Sequence, residues 1–220
     1  MSQGAPSYPA PPATSAVRQR PAALARPLVT LVPEVLLSLL VGALLLVAYR
    51  QPWWSFRLYA PQYPNGLGIE ILLSGSRGDL HEIDTLNHYI GMASLASAAP
   101  LERQLSLVAI EAAALLVTAL LLVPRRGANL VAVAVAAAVP LGFVADFSYW
   151  LHRFGHELNP RAPLRLEPFT PDLFGNGVIG QFMTFARPEL GFWLAVAAAG
   201  LAALLELLRR RQRSEIRGRS

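Results

Sequence analysis

The sequence predicts an all-α membrane protein of four transmembrane helices, with both termini cytoplasmic and two structured extracytoplasmic loops. Three observations predict it. Apolar residues make up 54% of the chain against 15% charged, and mean hydropathy is +0.40, which is not a soluble balance. The apolar residues gather in four runs, 28–49, 105–123, 130–150 and 190–208, each near the length needed to cross about 30 Å of hydrocarbon. The basic residues, all nineteen of them arginine, are placed asymmetrically. Arg18, Arg20 and Arg26 precede the first run, Arg125 and Arg126 fill the turn between the second and third, and six follow the fourth. The positive-inside rule makes that side cytoplasmic.

Each element follows in order. Residues 1–26 are rich in Pro, Ala and Ser and are expected to form a disordered cytoplasmic tail. The membrane domain covers 27–208, and 209–220 is a basic cytoplasmic tail. The first run is too long for a signal peptide and lacks a small-residue cleavage site, so it is expected to stay as an anchor. Pro140, Gly142 and Asp146 interrupt the third run, but neighbouring helices can satisfy the backbone groups that a proline frees.

The outer loop 51–104 opens with Trp53, Trp54, Phe56, Tyr59 and Tyr63 among prolines, the composition of an aromatic belt lying along the membrane surface. Leu67–Leu73 is a short apolar run of extended type, and Ser74–Gly78 a turn. From Asp79 the pattern is that of a helix: Asp79 and Glu82 form a capping-box-like pair, and Gly91 ends it. Leu80, Ile83, Leu86 and Ile90 share one face; His81, Asp84, Thr85 and His88 share the other. The outer loop 151–189 begins as a continuation of the third helix. It then turns rich in proline and glycine, with little regular structure expected.

All four histidines, His81, His88, His152 and His156, fall in these outer loops. His152 and His156 are four apart, which puts both imidazoles on one helix face and lets them chelate a transition metal. His88 and Met92 repeat the spacing, and a thioether beside an imidazole biases a site toward Cu(I). Asp84, Glu111 and Asp146 are candidate assisting ligands, the last two being carboxylates inside the spans, where ionisable groups are costly and usually functional. The bland readings are surface polarity for the histidines and a structural hydrogen bond between helices for the carboxylates. Glu34 and Glu206 are read as structural, with Glu206 at helical spacing from Arg209 and Arg210. Residue 153 is Arg where a zinc-protease helix needs Glu, and no nucleophile elbow, P-loop or dinucleotide fingerprint occurs, so no enzyme activity is expected. The absence of cysteine excludes disulfides and thiolate sites.

Tyr59-Ala-Pro-Gln-Tyr-Pro64-Asn-Gly-Leu67, followed by Glu82-Ile-Asp-Thr-Leu-Asn-His88-Tyr-Ile-Gly-Met92, resembles a motif pair of a little-characterised bacterial membrane-protein family. Asn159-Pro-Arg-Ala-Pro163 with Pro168-Phe-Thr-Pro171 is similar to that family as well, so the resemblance covers about residues 50–190. Members of that family are found beside genes for copper handling and nitrous-oxide reductase maturation. The resemblance implies an accessory role in metal or respiratory-enzyme biogenesis and carries no catalytic residues across.

The expectation is therefore an extracytoplasmic copper-handling or assembly factor of a bacterial plasma membrane. His88, Met92, His152 and His156 would hold the ion, with Asp84, Glu111 or Asp146 assisting. Its partners would be the lipid bilayer and an extracytoplasmic protein, with no nucleic acid. The alternatives are a non-catalytic scaffolding subunit of a membrane complex and a small transporter with Glu111 and Asp146 lining a path.

Overall fold

In the computed structural model, residues 28–180 and 182–218 are described, the side chains of residues 28–30 and 216 excepted; the expected tail 1–26 lies outside them. Four helices stand where the four apolar runs predict: α1 (Leu28–Tyr49), α3 (Pro100–Leu122), α4 (Arg126–His156) and α5 (Leu190–Gly218). All four are long and apolar enough to cross a membrane. α1 and α4 each pack against both α3 and α5, closing the bundle into a ring. The seams are built from small residues such as Ala114, Ala132, Ala136, Ala195, Ala198 and Ala202, which let helix backbones approach closely. α5 continues through the arginine-rich segment, so the basic tail is helical as far as Gly218.

The all-α expectation, and with it the pure four-helix bundle, is wrong. The two segments read as loops build one antiparallel sheet of five strands in the order β3-β2-β1-β5-β4. The strands are β1 (Trp54–Ala60), β2 (Tyr63–Leu72), β3 (Gly75–Gly78), β4 (Gly175–Ile179) and β5 (Phe182–Pro188). β1 is the centre: Trp54 pairs with Ile71 on one side and Pro188 on the other, Leu58 with Leu67 and Thr184. Its alternation is regular. Trp54, Leu58 and Ala60 are buried, while Arg57 and Tyr59 are exposed. Each loop folds its own hairpins, β1-β2-β3 in the first and β4-β5 in the second, and only the β1–β5 ladder joins them, across more than a hundred residues.

The aromatic belt is corrected too. Trp53 and Trp54 are fully buried, forming the joint between sheet and bundle instead of lying along a surface. Trp53 Nε1 donates to Ala48 O at 2.9 Å and Trp54 Nε1 to Leu173 O at 3.0 Å, so both indole donors are satisfied. Phe143, Phe147, Phe174 and Phe192 pack round Trp54 in tilted and edge-on contacts. Gly191 makes this joint possible, since a Cβ there would lie 2.6 Å from the Trp53 ring.

Helix α2 (Leu80–Ile90) lays Ile83 and Ile90 on the sheet's inner face. Asp79 does not cap it; its carboxylate accepts the Gly68 N–H at 2.8 Å and pins β2 to the helix start. Gly91 ends it in the left-handed region at φ 81°, and the Gly91 and Met92 N–H groups close on His88 O and Asn87 O. A proline-rich strap, 157–173, returns across the end of α4: Asn159 N–H donates to Gly91 O, Leu164 N–H to Tyr89 O, and Phe169 N–H to Gly155 O.

Candidate functional site

The histidines do not gather. His152 and His156 do share one face of α4, with rings stacked at 3.8 Å between centroids and 28° between planes. Stacked rings send their in-plane lone pairs side by side and not toward a common point. Their Nδ1 atoms are also engaged: that of His156 donates to His152 O at 2.8 Å, and that of His152 lies 3.2 Å from Thr170 Oγ1 on the strap. His88 is exposed on α2, as is His81. Met92 follows the end of α2 and packs in the cluster of Leu58, Ala60, Ile90 and Phe182, so the four-residue spacing from His88 is not a helical one. Asp84 accepts from Ser94 Oγ and from Leu95 N–H at 2.8 Å, which holds the short 3-10 turn Leu95–Ser97. Among the described residues no group of three or more His, Cys, Asp or Glu is placed to hold a metal, so the copper expectation finds no support in the geometry.

The two carboxylates within the apolar runs part company. Asp146 lies on the wall of a cavity between α3 and α4 at the sheet end of the bundle, together with Glu102. Glu111 is on the other side of α3, exposed, and makes no hydrogen bond or ion pair among the described residues. It belongs to a stripe of exposed positions at helical spacing: Gln104, Val108, Glu111, Leu115, Ala119 and Leu122. Leu115 is 72% and Val108 64% exposed, so this side of α3 is unpartnered along most of its length. Glu111 and Asp146 thus do not line one path.

A polar network at the arginine-rich end was only half legible. Arg210 Nε does meet Glu206 Oε1 at 2.8 Å, at the expected helical spacing. Arg209, 3% exposed, turns inward instead. It donates to Glu34 Oε2 at 2.9 Å on α1, to Leu121 O at 2.8 Å on α3 and to Asn129 Oδ1 at 2.9 Å on α4. Asn129, wholly buried, donates in turn to Glu206 Oε2 at 2.8 Å. All four helices of the ring are tied by this one network. Beyond Glu206 and the arginines, its sequence signals are Glu34 and Asn129, polar residues at the margins of apolar runs.

The sheet's outward face is graded. Nearest the bundle it is charged: Arg77 pairs with Glu70 at 2.6 Å, and Glu189 takes Arg187 Nε at 2.8 Å and Ser55 Oγ at 2.7 Å. Partial burial of Glu189 works against its charged form, but these two donors outweigh it and hold its carboxyl below the usual range. Further out the face is apolar, with Tyr59 and Val178 flanking Met183 across β1, β4 and β5, all exposed. A scan against protein-family models and a search of the curated proteins return no match, so the motif resemblance stands on its own residues.

Proposed function

We propose that this protein is a non-catalytic subunit of a membrane complex, docked inside the bilayer through the α3 stripe centred on Glu111, with its sheet on the extracytoplasmic side. The observation that carries this is the position of Glu111. With the bundle in a membrane, Glu111 lies seven residues, about 10 Å, below Gln104 along the helix axis, in the outer half of the hydrocarbon and on its outside surface. An ionisable side chain deep in a span costs on the order of 3 kcal/mol on insertion scales, and such groups almost always face protein or water. A partner helix with a hydrogen-bond donor at that depth removes the cost, and Gln104 two turns away adds a second polar contact on the same seam.

The apolar row of Tyr59, Met183 and Val178 offers the same partner a contact outside the membrane, and the arginine distribution supports the orientation. A role in assembling a respiratory metalloenzyme, which the motif resemblance implies, is one form of this reading. A photo-crosslinking residue tests it in native membranes, placed at position 108 or 115 on the stripe, or at exposed position 36 on α1 as control. The expected result is a protein adduct of one mass from 108 and 115, none from 36, and loss of the adduct on adding Glu111→Leu. Adducts with lipid alone from all three positions would overturn the proposal.

A further inference from the structure

The cavity between α3 and α4 has about 410 Å³ of space, within the range of small-molecule sites. Its wall follows α4 from Val139 to Phe154, about 22 Å of helix, and is largely apolar and aromatic, with Phe143, Phe147 and Trp150 prominent. Three polar groups on that wall lack partners among the described residues. Trp150 Nε1 is buried and has no acceptor. Asp146, half-buried on α4, and Glu102, exposed at the start of α3, are close enough to interact electrostatically and accept no hydrogen bond among the described residues. Arg103 is beside them, but its guanidinium is spent on Leu95 O, Ala96 O and Ser76 Oγ, where it pins the 3-10 turn and β3.

A buried donor without an acceptor is unfavourable, as are two like charges that no cation contacts directly, and one ligand relieves both. It needs an ammonium group for the carboxylates, which the aromatic walls also favour, an oxygen acceptor close by for the indole, and an apolar chain for the rest of the cleft. We propose that this cavity binds a single amphiphile with a primary-amine head and a neighbouring ester or phosphate oxygen, the pattern of an ethanolamine phospholipid. The site is separate from the Glu111 stripe, which lies on the opposite side of α3, so either proposal can fail alone.

The test is native mass spectrometry of the full chain in detergent, with dioleoyl phosphatidylethanolamine, phosphatidylcholine or phosphatidylglycerol added and dodecylamine as competitor. The expected result is one ethanolamine lipid retained where the other two are stripped, and displaced by dodecylamine. Asp146→Asn and Glu102→Gln each lower its retention about tenfold, the worth of one hydrogen bond to a charged group. Gly142→Leu is the control for space. A Cβ at Gly142 meets no atom within 4 Å, so the new side chain enters the cleft without displacing protein and should abolish retention. Equal retention of the three lipids, preference for phosphatidylglycerol, displacement failing with dodecylamine, or retention unchanged in Gly142→Leu would each overturn the proposal.

Discussion

The two ends of the helix bundle hold similar chemistry in opposite states. At the arginine-rich end Arg209, Asn129 and Glu206 are buried and paired with one another, with Glu34 and with a main-chain carbonyl. At the sheet end the buried Trp150 indole nitrogen, half-buried Asp146 and exposed Glu102 line a cavity and have no partners among the described residues. A polar group taken out of water costs free energy unless its hydrogen bonds are replaced. Where the protein supplies the replacement itself, the end is a clamp; where it does not, the end is built to receive something.

The largest effect that could break this comparison is at the clamp. Arg209→Met leaves Glu34 and the Asn129 amide oxygen without their shared donor, and breaking a buried ion pair from one side costs about 3–5 kcal/mol. Equilibrium unfolding in mixed micelles should show a loss of that size; a loss below about 1 kcal/mol, the range of an exposed pair, would show that the network does not close the bundle. Asp146→Leu, measured without added lipid, should by contrast keep the stability of the parent or raise it, since the carboxylate it removes has no partner to orphan. A large loss there would mean that Asp146 is structural after all.

The same contrast explains what the sequence made legible. Four helices long and apolar enough to cross a membrane could be read because a bilayer demands long apolar runs, and α4 and α5 merely extend past theirs. Glu206 with Arg210 could be read because four residues along one helix is a local rule. Glu34 with Arg209 could not, being 175 residues apart, nor could β1 with β5, whose pairing exists only once the bundle brings two distant segments together. Glycines at 66, 68, 75, 78, 175 and 177 also interrupt the alternation that marks strands. The histidine pairs are the converse case. Their spacing is a local signal, but whether the pairs converge is a tertiary matter, and Gly91 ends α2 before Met92 can share its face with His88.

The smallest expected effect lies on the sheet. The Glu189 carboxyl is held low by Ser55 and Arg187, so the stabilisation from this contact is complete above the ordinary glutamate range and is lost as pH falls through the lowered folded value. For a partly exposed group the amount is under about 1 kcal/mol. Thermal unfolding of the parent and Glu189→Gln should converge at acidic pH and separate, with the parent more stable, near neutrality. A constant gap across that range would place the contribution of Glu189 elsewhere than in its charge.

Hydrogen exchange read at both ends of the bundle in one experiment tests the central contrast most directly. In nanodiscs without ethanolamine lipid, amides of 92–103 and 146–154 round the cavity should exchange faster than those of 205–213 round the clamp, and ethanolamine lipid should slow the first group only. Equal protection at the two ends, with no response to the lipid, would contradict the account of one closed and one receptive end.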